Sequence, residues 1–291
     1  IEDGRILVVG GDNYGVGHTN DAIHFYDPVL ERWSRISEEM IAGRWYPTTV
    51  ALPDGSVVAF TGQPAVADTE IMSPPGYVPR VIAGGRRQIG GVDNPQQSYP
   101  GMFLMPGGRM FYVPTSFAYA GGNQAAVEAQ LGNTMSFRVI DPSSTPPVGA
   151  WQDHGVRPLD MLRQEGTALL LAPAQAGRIA LVGGGWGTTA GPRNTVEILE
   201  TQGAAAAWVP GGQMHHTRGN VNAVLLPDGK VLIFGGTGGY KWDGGAAADQ
   251  RRFIAELWDP SLTYDPADPT AAFTETGEMH RSRQYHSGGV L

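Results

Sequence analysis

The run Leu226-Pro227-Asp228-Gly229-Lys230-Val231-Leu232-Ile233-Phe234-Gly235-Gly236 decides the fold. Asp-Gly between two apolar stretches supplies the positive φ that a tight hairpin needs. The apolar run after it reads as a strand buried on both faces. The closing Gly pair lets another backbone approach closely. The pattern occurs four more times: Asp3-Gly4-Arg5 to Gly10-Gly11, Leu52-Pro53-Asp54-Gly55 to Gly62, a degenerate Met105-Pro106-Gly107-Gly108 to Val113, and Ala172 to Gly184 with a longer turn. A sixth copy opens at Tyr285.

The segment after each hairpin also repeats. Ile23 to Pro28 precedes Trp33, Phe137 to Pro142 precedes Trp151, Val196 to Glu200 precedes Trp208, and Ala255 to Pro260 precedes Phe273. Each reads as a third strand, a turn and a fourth strand carrying an aromatic. The period is roughly 50 residues, the spacing of kelch-type blades, and four-stranded blades set radially make a β-propeller. The expected fold is therefore all-β, a kelch-type propeller of about five blades and the start of a sixth, with residues 1–291 as one propeller domain. The longer interval between the third and fourth copies reads as an insertion. Both ends fall inside a repeat, so the native protein is expected to extend beyond Ile1 and Leu291.

Composition agrees. The chain has 291 residues with 42 glycines and only 16% charged residues, which suits many turns and few solvated helices. A formal net charge of -8 argues against a nucleic-acid backbone as partner. No apolar run approaches membrane-spanning length. There is no cysteine, so disulfides and thiolate zinc sites are excluded within this chain.

Aligned on the turn glycine, the position about nine residues earlier holds Tyr46, Tyr99, Glu165, Asn220 and Tyr285. In a propeller these would converge on one end of the central channel. Arg44, Arg163, Arg218 and Arg283 come two residues before, and Met40, Met214 and Met279 four before their Arg; recurring in blade after blade, both read as structural. The ring reads in two ways. It is a polar plug in which tyrosines find hydrogen-bond partners, or it is a site. His286 favours the site, because it alone among the seven histidines adjoins a ring residue. Imidazole with phenolate oxygens suits Cu(II), and metal binding lowers the pKa of a coordinating phenol.

At these residues the chain resembles the copper-radical oxidases, the galactose oxidase and glyoxal oxidase family. Arg44-Trp45-Tyr46-Pro47-Thr48 is similar to the segment with the radical-forming tyrosine, and Arg283-Gln284-Tyr285-His286-Ser287 to the one with the axial tyrosine and a histidine ligand. Ser98-Tyr99-Pro100, then Leu104-Met105-Pro106-Gly107, is closer to the glyoxal oxidase branch. The resemblance implies a seven-bladed fold and a copper ion held by Tyr46, Tyr285 and His286. Tyr46 would be the redox tyrosine, carrying a tyrosyl radical, and Tyr285 the proton acceptor. The implied reaction oxidises a primary alcohol or small aldehyde and reduces O2 to hydrogen peroxide, in a secreted protein whose substrate is a small molecule or carbohydrate. The family's cross-linked cysteine would fall just before Ile1 and its second histidine ligand beyond Leu291, so this chain alone is expected to be inactive. No aromatic soon after Gly62 matches galactose oxidase's stacking tryptophan, which weakens a galactose-type substrate. Tyr99, Glu165 and Trp186 are the candidate substrate contacts.

The alternative is a non-catalytic kelch propeller binding glycan or protein at its mouth. A hydrolase or lyase using Glu165 lacks a clear partner carboxylate. Gly183 to Gly187 has no following helix or phosphate-binding lysine and is no nucleotide loop. Asp12-Asn13-Tyr14 and Asp265 to Asp268 read as turns rather than calcium loops, and Gly84-Gly85-Arg86-Arg87-Gln88 as a solvated basic turn.

Overall fold

In the computed structural model the turns form as their residues dictate. The Gly229 amide donates to the Leu226 carbonyl (3.0 Å), and the Leu226 amide to the Lys230 carbonyl (2.8 Å). Gly229 stands at φ +85°, and the Asp228 carboxylate accepts from the Lys230 amide (3.1 Å). Gly55 at +81° and Asp54, accepting from the Ser56 amide (2.9 Å), repeat the arrangement. Glycine takes the left-handed conformation, and aspartate ties the turn through its side chain. The longer fourth turn winds one turn of 3-10 helix, Ala174–Ala176, that closes on Gly177 at +63°.

The structure describes residues 1–12, 19–62, 67–89, 92–93, 97–115, 117–118, 133–160, 163–185, 191–202, 205–239 and 251–283. Each hairpin continues into an antiparallel sheet whose strands lie in chain order. The first sheet has Ile6–Val9, Ile23–Asp27 and Arg32–Arg35. The second has Thr48–Ala51, Val57–Phe60, Glu70–Met72 and Pro79–Val81. The third has Gly101–Leu104, Arg109–Val113, Met135–Asp141 and Val148–Asp153. The fourth has Thr167–Leu170, Arg178–Val182, Thr195–Glu200 and Ala207–Gln213, and the fifth Asn222–Leu225, Val231–Phe234, Ile254–Trp258 and Phe273–Glu278. These are propeller blades, as the repeat predicts. Among the described residues no helix is long and apolar enough to cross a membrane.

The chain divides into two compact units. One comprises Ile1–Tyr112 with Met135–Asp153, the other Val113–Thr134 with His154–Leu291. In each, the core lies between the faces of successive sheets. In the first unit, Val9, Ile23, Phe25 and Met40 pack with Val57, Ala59 and Met72. Val58, Phe60 and Ile71 pack with Met102, Met110 and Phe137. The strand Val57–Phe60 thus buries both of its faces, one in each cluster, as a continuous apolar run requires. In the second unit, Ala180, Val182, Val196 and Ile198 pack with Val231, Ile233, Trp258 and Phe273.

The fourth-strand aromatics Trp151 and Phe273 face the preceding sheet of their own unit. The Trp151 indole donates to the Gly85 carbonyl (2.9 Å), and Phe273 joins the core shared with the fourth sheet. Trp33 in the first sheet is 60% exposed, whereas Trp208 is 8% and Phe273 5%. One expectation is corrected here. Arg87 is not on a solvated turn: it is fully buried, with its guanidinium 4.2 Å from the Tyr112 ring centre, and burial pushes its pKa down. The Asp265 and Asp268 carboxylates do make turns, accepting from the Ala267 (2.8 Å) and Thr270 (3.3 Å) amides.

Candidate functional site

A buried ion pair repeats under the ring positions. Arg44 meets Glu70 (2.7 Å), Arg163 meets Glu197, and Arg218 meets Glu256 (2.9 Å), every side chain at most 3% exposed. Two such charges stay ionised in a core only if their remaining hydrogen-bonding capacity is met. The arginines meet theirs on matching backbone carbonyls: Thr61 (2.6 Å), Gly183 (3.0 Å) and Gly235 (2.8 Å). The carboxylates accept amides three residues before each arginine, from Ile41 (2.9 Å), Asp160 (3.1 Å) and His215 (2.6 Å). Met40 and Met214 are buried beside them. The structural reading of the arginines therefore holds. In the third repeat the corresponding sequence positions hold Gln97 and Ser136, two residue types that cannot form such an ion pair.

The glycine pairs that close the second strands receive the next repeat. The Gly11 amide donates to the Arg44 carbonyl (2.8 Å), Gly184 to Arg218 (2.8 Å) and Gly236 to Arg283 (2.6 Å). A Cβ on Gly10, Gly183 or Gly235 would lie 2.3, 2.6 or 2.6 Å from those same carbonyl oxygens. Arg283 thus opens its repeat as Arg44 and Arg218 open theirs.

Each described ring residue, two positions after Arg44, Gln97, Arg163 or Arg218, has an unusual backbone. Tyr46, Tyr99, Glu165 and Asn220 have φ of +59°, +39°, +57° and +53°. For tyrosine and glutamate that is costly, of order 1–3 kcal/mol each, and it persists where surrounding structure imposes it. Successive ring backbones are also joined. The Tyr99 amide donates to the Tyr46 carbonyl (2.9 Å), and the Asn220 amide to the Glu165 carbonyl (2.8 Å).

Their side chains differ. Tyr46 stacks on Trp45 at 4.3 Å and 24°, and lies 4.4 Å from Tyr99 at 42°. Trp45 was missed as a site residue; its signal is an aromatic directly before a ring tyrosine. The Glu165 and Asn220 side chains each hold a buried polar atom, Oε1 and Nδ2, without a hydrogen-bond partner among the described residues. Burial raises the Glu165 carboxyl from 4.5 to about 7. Tyr285, His286 and Trp186 lie outside the described residues. Among the described residues no three His, Cys, Asp or Glu side chains gather as a metal site.

No family model matches the chain. Over 117 residues, 38% of this chain and 21% of the relative, it is 32% identical to the aldehyde oxidase GLOX of Vitis pseudoreticulata. Over that stretch the chain is similar to an aldehyde oxidase. The match spans about a fifth of that relative's length. Among solved structures, a fungal alcohol oxidase of the AA5 family, determined in complex with copper, superposes with a TM-score of 0.52 at 20% identity. The likeness covers 98% of this chain and 65% of that one. The structure of YjhT gives 0.55 at 13% identity, covering 95% and 85%. At these identities the two structures speak for the propeller fold.

Proposed function

We propose that this chain is part of a copper-radical oxidase that oxidises a primary alcohol or small hydrated aldehyde and reduces O2 to hydrogen peroxide, nearer the glyoxal oxidases than galactose oxidase in substrate. The reading is supported above all by Tyr46, held on a strained left-handed backbone above a buried ion pair, in the segment that resembles the family's redox tyrosine. Arg283, two residues before Tyr285 in the sequence, docks on the Gly235-Gly236 pair as Arg218 docks on Gly183-Gly184.

Copper fits the donor chemistry, since two phenols and an imidazole suit Cu(II). Tyr46, Tyr285 and His286 would hold it. Bound there, the metal supplies one-electron redox capacity and a Lewis acid for the substrate oxygen. Tyr46 is the second redox group, and its contacts with Trp45 and Tyr99 fix its ring. Tyr285 accepts the hydroxyl proton as general base. The cross-link to cysteine and a second histidine belong to the same reading and to residues this chain does not contain. Secretion belongs to it as well.

The test is copper loading of the full-length protein, followed by peroxide assays on small aldehydes and alcohols. Peroxide is expected, with more from glyoxal-type aldehydes than from galactose. Tyr285→Phe is expected to lower kcat by about 10²–10⁴-fold. Bound copper with no peroxide from any substrate overturns the proposal.

A further inference from the structure

The Glu165 and Asn220 side chains are the part of the ring that no metal-binding or redox role absorbs. Both belong to the same compact unit, and the Asn220 amide bonds the Glu165 carbonyl at 2.8 Å. They share one backbone conformation, at +57° and +53°, in successive repeats. Asn220 is 8% exposed and Glu165 half-buried, and among the described residues neither the Asn220 Nδ2 nor the Glu165 Oε1 has a partner. Unpartnered buried polar groups cost about 1–3 kcal/mol each. Two of them on consecutive ring positions, with opposite hydrogen-bonding character, mark a place prepared for something else.

We propose that Glu165 and Asn220 form a hydroxyl-binding subsite, which accepts a substrate's O–H at the carboxyl oxygen and donates to that hydroxyl's oxygen from the Asn220 amide. A hydroxyl is the group that satisfies both at once. A bare carbonyl has no proton to give and pairs with the amide alone. The subsite thus selects the hydroxylated form of a substrate, an alcohol or the hydrate of an aldehyde, over the free carbonyl. As a substrate subsite this rests on the oxidase reading; as a binding pair it stands without copper. The raised carboxyl pKa is consistent with a group poorly solvated when empty.

The experiment is titration of the full-length, copper-free protein, labelled with 15N, with ethylene glycol and separately with acetone. The Asn220 side-chain amide signals are expected to shift saturably with the diol and at least tenfold more weakly with acetone. Asn220→Asp keeps a residue that tolerates the left-handed backbone and removes the amide donor. In that variant the heat of diol binding is expected to fall by at least tenfold, with the rest of the spectrum unchanged. Glu165→Ala is the second variant; it removes the acceptor, and diol binding is expected to fall by at least tenfold.

Equal response to diol and acetone, no response at Asn220, or unchanged diol binding in a folded Asn220→Asp protein overturns the subsite. An internal water that stays on the pair throughout the titration overturns it too. The two proposals fail separately. Diol binding without copper-dependent peroxide leaves the subsite and removes the oxidase. Peroxide with a silent Asn220 signal leaves the oxidase and removes the subsite.

Discussion

In the first unit the ring positions carry Tyr46 and Tyr99, whose rings lie 4.4 Å apart, with Trp45 stacked on Tyr46. In the second unit the same positions carry Glu165 and Asn220, each with a buried polar atom that meets no partner among the described residues. The backbone is the same in both: left-handed φ, an amide-to-carbonyl bond between successive ring residues, and an arginine two residues before Tyr46, Glu165 and Asn220. The comparison separates two jobs. The repeat sets where a side chain starts, at the cost of backbone strain. The residue placed there sets the chemistry, and the two units have taken opposite courses with it.

That division can be broken at its base. Arg218→Ala leaves Glu256 as a buried carboxylate without its partner, and is expected to cost about 3–5 kcal/mol in urea unfolding. If it costs no more than a surface substitution, the ion pair does not hold the ring backbone. Gly183→Ala comes next. Its Cβ would stand 2.6 Å from the Arg218 carbonyl oxygen at a φ of +56°, which puts the expected loss at about 2 kcal/mol. Gly4→Ala, with nothing within 4 Å, is the control that isolates the strain of positive φ from the clash.

The two halves of the comparison are then tested one by one. Tyr99→Leu removes the aromatic partner of Tyr46 and is expected to cost about 1 kcal/mol beyond the lost area, read as a lower unfolding midpoint. The effect of Glu165→Gln is the smallest and depends on pH. A carboxyl raised from 4.5 to about 7 keeps its proton in the folded state after the unfolded chain has released it. The folded state then binds more protons between those values, so its stability falls as pH rises through that interval and levels off above it. Solvent reaches the half-buried group, which holds the effect to on the order of 1 kcal/mol. Glu165→Gln is expected to flatten that slope. An unchanged slope means that the carboxyl is as well solvated as any surface glutamate.

The hairpins, the strand order and the close-approach glycines were legible because each is local: Asp-Gly, an alternating or continuous apolar run, and Gly-Gly act within a few residues. Arg44, Arg163 and Arg218 were legible as structural because they recur. Their partners were not. Glu70, Glu197 and Glu256 lie 26 to 38 residues away, on third strands whose register only the folded sheet fixes. The left-handed ring backbone was also hidden, since only Asn220 among those residues is a type that favours it. Arg87 misled for a similar reason: its neighbours in sequence are polar and glycine-rich, while the ring that covers it belongs to Tyr112 on another sheet. Trp45 was concealed by proximity, because a residue adjacent to a candidate ligand reads as its spacer.

The glycine-to-arginine docking has a consequence for how such a molecule diversifies. Gly10-Gly11 ends the strand Ile6–Val9 of one sheet, but the oxygen it must clear belongs to Arg44 of the next repeat, and Gly183-Gly184 and Gly235-Gly236 stand in the same relation to Arg218 and Arg283. The piece that can be exchanged between relatives as a self-consistent part is therefore not a sheet. It runs from the middle of one sheet to the middle of its neighbour, keeping each glycine pair with the arginine it meets. Chimaeras joined at sheet boundaries would pair glycines and arginines from different parents at each seam, while those joined at the Asp-Gly turn would keep each native seam and bring in a new ring residue with it.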